Sequence, residues 1–163
     1  MSLPFRQSLS REQALQKIKH YCAYQERCHQ EVKEKLYELG LYKKDVEEVT
    51  AQLIDENYLN EERFAIQYAG GKFRIKHWGR IKIKYSLKQK QVSEYNIKKA
   101  MTQIEGESYM QTLEKLCQAK WEIFKNEKNR YVKKRKTQDY LLQKGYESDL
   151  VREVINSMQD DEK

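Results

Sequence analysis

Three segments of the chain repeat one spacing of apolar and polar positions. From Leu36 to Leu53 (LYELGLYKKDVEEVTAQL), apolar or small residues fall at Leu36, Gly40, Leu41, Val46, Val49 and Leu53. From Leu87 to Ile104 (LKQKQVSEYNIKKAMTQI), the same positions hold Leu87, Gln91, Val92, Ile97, Ala100 and Ile104. From Leu141 to Met158 (LLQKGYESDLVREVINSM), they hold Leu141, Gly145, Tyr146, Val151, Val154 and Met158. No gap interrupts any copy, and the copies recur about fifty residues apart. The pattern predicts a helix, a tight turn and a second helix. Gly40 and Gly145 stand where a helix C-terminus takes a left-handed residue, and the apolar residue after each packs back on the turn. Gln91 occupies that place in the second copy, at an expected cost of up to ~1 kcal/mol. Three-and-four spacing after the turn marks one buried stripe. Ser93 and Ser148 are placed to cap the second helix, whereas Tyr42-Lys43 offers the first copy no clear cap.

A further amphipathic segment precedes each pair. SREQALQKIKHYCAY opens on a capping box, Ser10 to Gln13, and sets Leu15, Ile18 and Cys22 on one face. NEERFAIQYA has Asn60 as N-cap, Glu61 and Glu62 near the positive helix end, and Phe64, Ile66 and Tyr68 as apolar residues. YMQTLEKLCQAKWEIF carries Leu113, Leu116 and Cys117. The expected architecture is all-α: three tandem three-helix repeats over residues 1–58, 59–106 and 107–163, stacked as an elongated array. Composition agrees. With 39% hydrophobic and 35% charged residues, one Pro and six Gly, thin helical layers suit the chain better than one thick core.

At this point the residues carry a resemblance. ENYLNEERFAIQYA, KHWGRIKIKYSLKQKQV and LLQKGYESDLVREVI resemble the bacterial RecX family of recombination regulators, over about Leu15 to Met158. The most specific parts are Tyr58-Leu59-Asn60 to Phe64-Ala65, the Trp78-Gly79 pair before Ile83 and Leu87, and the tandem repeat. Gln91 replaces a usual Gly, Asn60 stands where an acid is common, and Gly70-Gly71 weakens the end of a helix expected to run on. The resemblance implies a curved, monomeric array acting in DNA repair, recombination and the SOS response. It implies binding to the RecA–single-stranded-DNA filament, in its groove, with restraint of RecA's ATPase, strand-exchange and coprotease activities. Single-stranded DNA, and double-stranded DNA as a second candidate, are the implied nucleic-acid partners. It implies no cofactor.

Charge changes the picture most in the middle of the chain. The formal net charge is +7 and the pI near 9.1, which favours an anionic partner. Acids outnumber bases from Glu31 to Glu62, Glu94 is the one acid from Lys72 to Lys99, and Glu127 the one acid from Lys125 to Lys136. Residues 70–90, GGKFRIKHWGRIKIKYSLKQK, hold eight Lys/Arg, three aromatics and no acid. Arg80 to Tyr85 alternates like a strand, but Ile83 and Leu87 align with Val32 and Leu36, so a helix from Arg80 is predicted, with Gly79 in the connection before it. Lys72, Arg74, Lys76, Arg80, Lys82, Lys84, Lys88 and Lys90 are the candidate nucleic-acid or filament contacts. Lys82, Lys84 and Lys88 are expected to reach solvent on a concave or flat surface. Lysine-rich clusters grip phosphates and make binding salt-dependent, and aromatics among them stack on unpaired bases. Trp78 reads better as a packing residue between helices. A second run, KNRYVKKRK, adds Lys133, Lys134, Arg135 and Lys136 as an extension of the same footprint, or else forms a flexible basic linker.

Other chemistry finds little support. MSLPFRQSLS lacks the apolar core of a signal peptide, no run is long enough to span a bilayer, and three cysteines make an odd, sparse set, so a reducing cytoplasm is expected. His20, Cys22, Cys28 and His29 do not have the spacing of a structural zinc site, and buried thiols explain the cysteines more simply. Gly70-Gly71-Lys72 lacks the glycine spacing and hydroxyl of a phosphate loop. No nucleophile elbow or carboxylate dyad supports a catalytic centre, and a non-enzyme is expected. The competing reading is an independent helix-turn-helix-like nucleic-acid-binding module. Its reading helix would need clustered Arg, Asn and Gln toward base edges, and the basic stretch is mostly Lys, which suits phosphate contact better.

Overall fold

A computed structural model describes residues 8–161. Among the described residues there are nine α-helices and no strand. In chain order they are α1 (Arg11–Tyr24), α2 (His29–Glu38), α3 (Lys43–Asp55), α4 (Glu61–Lys76), α5 (Arg80–Gln89), α6 (Glu94–Thr102), α7 (Gly106–Ile123), α8 (Arg130–Gln143) and α9 (Ser148–Asp161). No helix among the described residues is long and apolar enough to cross a membrane. The chain divides into two compact units. One comprises the described residues up to Gln67 with Lys88–Lys99; the other comprises Tyr68–Leu87 and the chain from Ala100 onward. Helices α4, α5 and α6 supply residues to both.

In the first unit α1, α2 and α3 pack on one another; on α1 the predicted Ile18 and Cys22 are buried, but Ala14 completes the stripe in place of Leu15, which is half-buried. Ala14, Ile18 and Cys22 of α1, Val32 and Leu36 of α2, and Val46, Val49 and Leu53 of α3 are all buried in one core. The Ser10–Gln13 capping box forms as expected. Gly40 takes φ 95°, and the Leu41 N–H donates to the Leu36 carbonyl at 3.2 Å, closing the turn with Leu41 buried. Asn60 caps α4, its Oδ1 accepting from the Arg63 N–H at 2.9 Å. Arg63 then reaches back, donating to Glu26 at 2.5 Å and to both the side chain and the carbonyl of Asn57, a left-handed residue at φ 63°. Gln91 is left-handed as expected, at φ 62°, and Ser93 accepts from the Asn96 N–H at 3.3 Å.

The second unit packs α7, α8 and α9 together. Helix α7 buries Tyr109, Leu113, Cys117 and Trp121, one residue per turn. Facing positions on α8 are Lys133, Thr137 and Leu141. Thr137 donates to the Lys133 carbonyl at 2.9 Å, so its buried hydroxyl is satisfied. Three expectations need correction here. KNRYVKKRK is no flexible linker: Asn129 caps α8, accepting from the Tyr131 and Val132 N–H groups, and the helix runs from Arg130. Ser148 is not the cap of α9 but its first residue; the Val151 N–H closes on the Glu147 carbonyl at 3.0 Å, one position earlier. Helix α4 runs through Gly70 and Gly71 to Lys76 rather than weakening there.

Candidate nucleic-acid interface

Within the second unit, the α4–α5 connection that carries Trp78 is held by the turn between α8 and α9. Helix α4 stops at His77, left-handed at φ 57°, and the Trp78 N–H donates back to the Lys72 carbonyl at 3.2 Å. That bond curls Trp78 onto the last turn of its own helix. Gly79 then meets Gly145 main chain to main chain: a Cβ on Gly79 would sit 2.3 Å from the Gly145 carbonyl carbon. The Gly79 N–H donates to the Lys144 carbonyl at 2.8 Å, and the Ile81 N–H to that of Gly145 at 2.9 Å. Tyr146 donates to the His77 carbonyl at 2.9 Å and the Lys144 ammonium to that of Lys76 at 3.0 Å. Donors of α5's first turn and carbonyls of α4's last turn, which a helix leaves unpaired, are thereby satisfied by the third copy of the repeat.

Arg80 belongs to this brace. Its guanidinium lies 3.9 Å from the Tyr109 ring centroid and donates to Glu147 at 2.9 Å, while its own N–H donates to the Tyr109 hydroxyl at 3.0 Å. The Tyr109 hydroxyl in turn donates to Glu147. Burial pushes the pKa values of Tyr109 and Tyr146 well above the ordinary phenol value, helped at Tyr109 by its hydrogen bond to the Glu147 carboxylate. Phe73, Tyr109 and Tyr146 form a ring cluster beneath the connection, with centroids 5.8 and 5.1 Å apart. Arg80 was a sequence candidate for anion contact; its geometry is internal. Glu147, which holds it, escaped sequence reasoning because it lies at a distance of 67 residues.

The remaining cations divide by partner. The ammoniums of Lys72 (α4) and Lys82 (α5) lie 4.9 and 4.7 Å from the Trp78 ring centroid, and Lys72 is also 5.4 Å from that of Tyr68. Tyr68 and Ser86 share a hydrogen bond that ties α4 to α5. Trp78 is thus half-buried, and its ring is occupied by cations rather than wedged only between helices. Arg74, Lys76, Lys84 and Lys88 are exposed, with Ile75, Ile81 and Tyr85 exposed among them. The Arg74 guanidinium folds back over Gly70, 2.7 Å from where a Cβ would stand. Lys82, expected to reach solvent with Lys84 and Lys88, is half-buried. Lys90, in the first unit, sits 3.8 Å from Glu31.

The second basic run is less uniform than its sequence. Lys133 is buried at 8% exposure with its ammonium 4.1 Å from the Trp121 ring centroid, so its charge faces inward. Lys136 pairs with Glu127 at 3.5 Å and lies 5.6 Å from the Phe124 ring. Lys134 and Arg135 line, with Tyr131, Val132 and Gln138, a shallow cavity of about 390 Å³. The four-residue spacing of Lys133, Thr137 and Leu141 was the available signal that one lysine of the run packs inward.

Comparison with known proteins follows this geometry closely. The description "RecX, second three-helix domain" matches residues 60–101, and "RecX, third three-helix domain" matches residues 107–155. Together they cover more than half of the chain. The chain belongs to the RecX family. The Regulatory protein RecX of Clostridium perfringens (strain 13 / Type A) is 32% identical over 133 residues, which is 81% of this chain and 62% of that protein. The Regulatory protein RecX of Bacillus cytotoxicus is 26% identical over 142 residues, 86% of this chain and 52% of the relative. The RecX-family chain described here therefore spans between half and two thirds of those relatives' length. The crystal structure of RecX from Lactobacillus salivarius has the same fold, with a TM-score of 0.83 at 21% identity, covering 91% of this chain and 96% of that one.

Proposed function

We propose that this chain is a non-catalytic regulator that binds the RecA–single-stranded-DNA filament and modulates, chiefly by inhibition, RecA's ATPase, recombinase and coprotease activities, acting as a monomer in the cytoplasm. The observation that carries the proposal is the acid-free run 70–90, folded as helix, braced connection and helix, with Arg74, Lys76, Lys84 and Lys88 exposed along it. A polyanionic filament releases counterions when such a surface meets it, which supplies affinity without sequence selectivity. Family membership and the relatives' names as regulatory proteins support the same reading. The braced connection holds Arg74, Lys76 and Lys84 of the second unit in one arrangement, so ordering them on binding costs little entropy.

The test is RecA's ATP hydrolysis on single-stranded DNA with increasing amounts of this protein. Hydrolysis falls, and the inhibition weakens as salt rises. The double variant Lys84→Glu/Lys88→Glu needs at least about tenfold more protein for the same inhibition, with unchanged helical content by circular dichroism. Unaltered hydrolysis together with tight, sequence-selective duplex binding would identify an independent helix-turn-helix-like module instead.

A further inference from the structure

We propose that Trp78 is a positioning residue that gathers Lys72 and Lys82 into a clamp for one backbone phosphate of single-stranded nucleic acid; the inference deepens, and rests on, the reading that this surface meets a nucleoprotein filament. Three observations point to it. First, ammoniums from two different helices, α4 and α5, lie 4.9 and 4.7 Å from the centroid of one indole ring. The ring's negative π face attracts each ammonium, so one indole draws cations from two helices toward itself. Second, among the described residues neither lysine is paired with a carboxylate, whereas Arg80, Lys90 and Lys136 each are. The charge gathered at Trp78 is left for an anion from outside. Third, the indole is not on a mobile arm. The connection that bears it is fixed by the main-chain bonds of Gly79 and Ile81 to Lys144 and Gly145.

A phosphodiester suits this arrangement because its two non-bridging oxygens accept from two ammoniums at once. Base stacking suits it poorly: the ring is half-buried and its nearest partners are cations, while the exposed Tyr85 on α5 offers a base an open face. Trp78 therefore acts through the lysines.

The test measures binding of labelled oligodeoxythymidine, and of an abasic strand of equal length, by fluorescence anisotropy across a salt series. Trp78→Ala and the double variant Lys72→Ala/Lys82→Ala should weaken both strands by the same factor, about tenfold or more, and flatten the slope of log affinity against log salt by about 1 to 2. Trp78→Phe should restore most of the loss, and if Trp78→Ala does not fold, Trp78→Phe and the lysine pair still decide the matter. A Trp78→Ala loss that vanishes on the abasic strand would mean stacking and overturn the clamp. So would wild-type affinity in Trp78→Ala, or a defect confined to the filament with bare strands unaffected, which would place protein carboxylates in the clamp. If instead the slope effect on bare strands holds while the wild-type protein leaves RecA's ATP hydrolysis unchanged, the clamp stands and the proposed regulatory function falls.

Discussion

Gly70, Gly71, Gly79 and Gly145 lie in or beside the basic surface, and each has a different reason to be there. Gly71 sits inside α4 with nothing within 4 Å of where a Cβ would go, so it contributes only backbone freedom. Gly71→Ala should raise stability by up to about 1 kcal/mol in urea denaturation and leave strand affinity unchanged. Gly79 is the opposite case, since its Cβ would stand 2.3 Å from main-chain atoms of Gly145. Gly79→Ala should cost at least about 2 kcal/mol on the same assay, because main chain cannot swing aside as a side chain can. Gln91, exposed and left-handed at φ 62°, predicts a gain of about 1 kcal/mol or less for Gln91→Gly, read as a higher unfolding midpoint. The left-handed sites were legible in the sequence at Gly40, Gln91 and Gly145 because a repeat aligned them. Asn57 and His77 were not, since both lie outside the repeated spacing.

At the scale of helices, the repeat spacing located the buried stripes of α3, α6 and α9, whereas in the helix that precedes each pair Ala14, Ala65, Ala69 and Trp121 are buried and the expected Leu15, Ile66 and Leu116 are only half-buried. Val46, Val49, Leu53, Ile97, Ala100, Val151 and Val154 are buried as predicted, and Met158 is half-buried. Helix α5 formed where alternation alone would have drawn a strand, because Ile83 and Leu87, four residues apart, are both fully buried. What the spacing did not reveal was the fate of individual cations. Lys and Arg carry long apolar stems that bury as readily as they solvate. Which of these happens depends on residues remote in sequence: Glu147 and Tyr109 for Arg80, and Trp121 for Lys133. A charge run therefore marks a surface without saying which of its members face outward. Lys133→Ala illustrates the consequence. It should lower the melting temperature while leaving the salt slope of strand binding near wild type, the reverse of the pattern expected at Lys84 and Lys88.

For the molecule as a whole, both units bury cysteine. Cys22 and Cys28 lie in the first unit, Cys117 in the second, all as free thiols. Burial pushes all three from an ordinary value of 9.0 up to about 11. The folded state thus keeps its thiols protonated where the unfolded chain has begun to lose them. The resulting stability is complete below pH 9 and is lost progressively as pH rises toward 11, so the denaturation midpoint should fall over that interval. Substituting Cys117 by Ala should flatten part of that decline. Slow reaction of all three thiols with Ellman's reagent at pH 8, becoming rapid in denaturant, checks the same burial.

The two facing glycines bear on how this surface can be altered. Positions such as Lys84 and Lys88 project outward and can be rewritten one at a time. The seam where Gly79 meets Gly145 admits no such freedom, since neither partner has a side chain to trade. A chain cut short before α8 would keep Lys72, Trp78 and Lys82 intact in composition and lose the template that sets them in place.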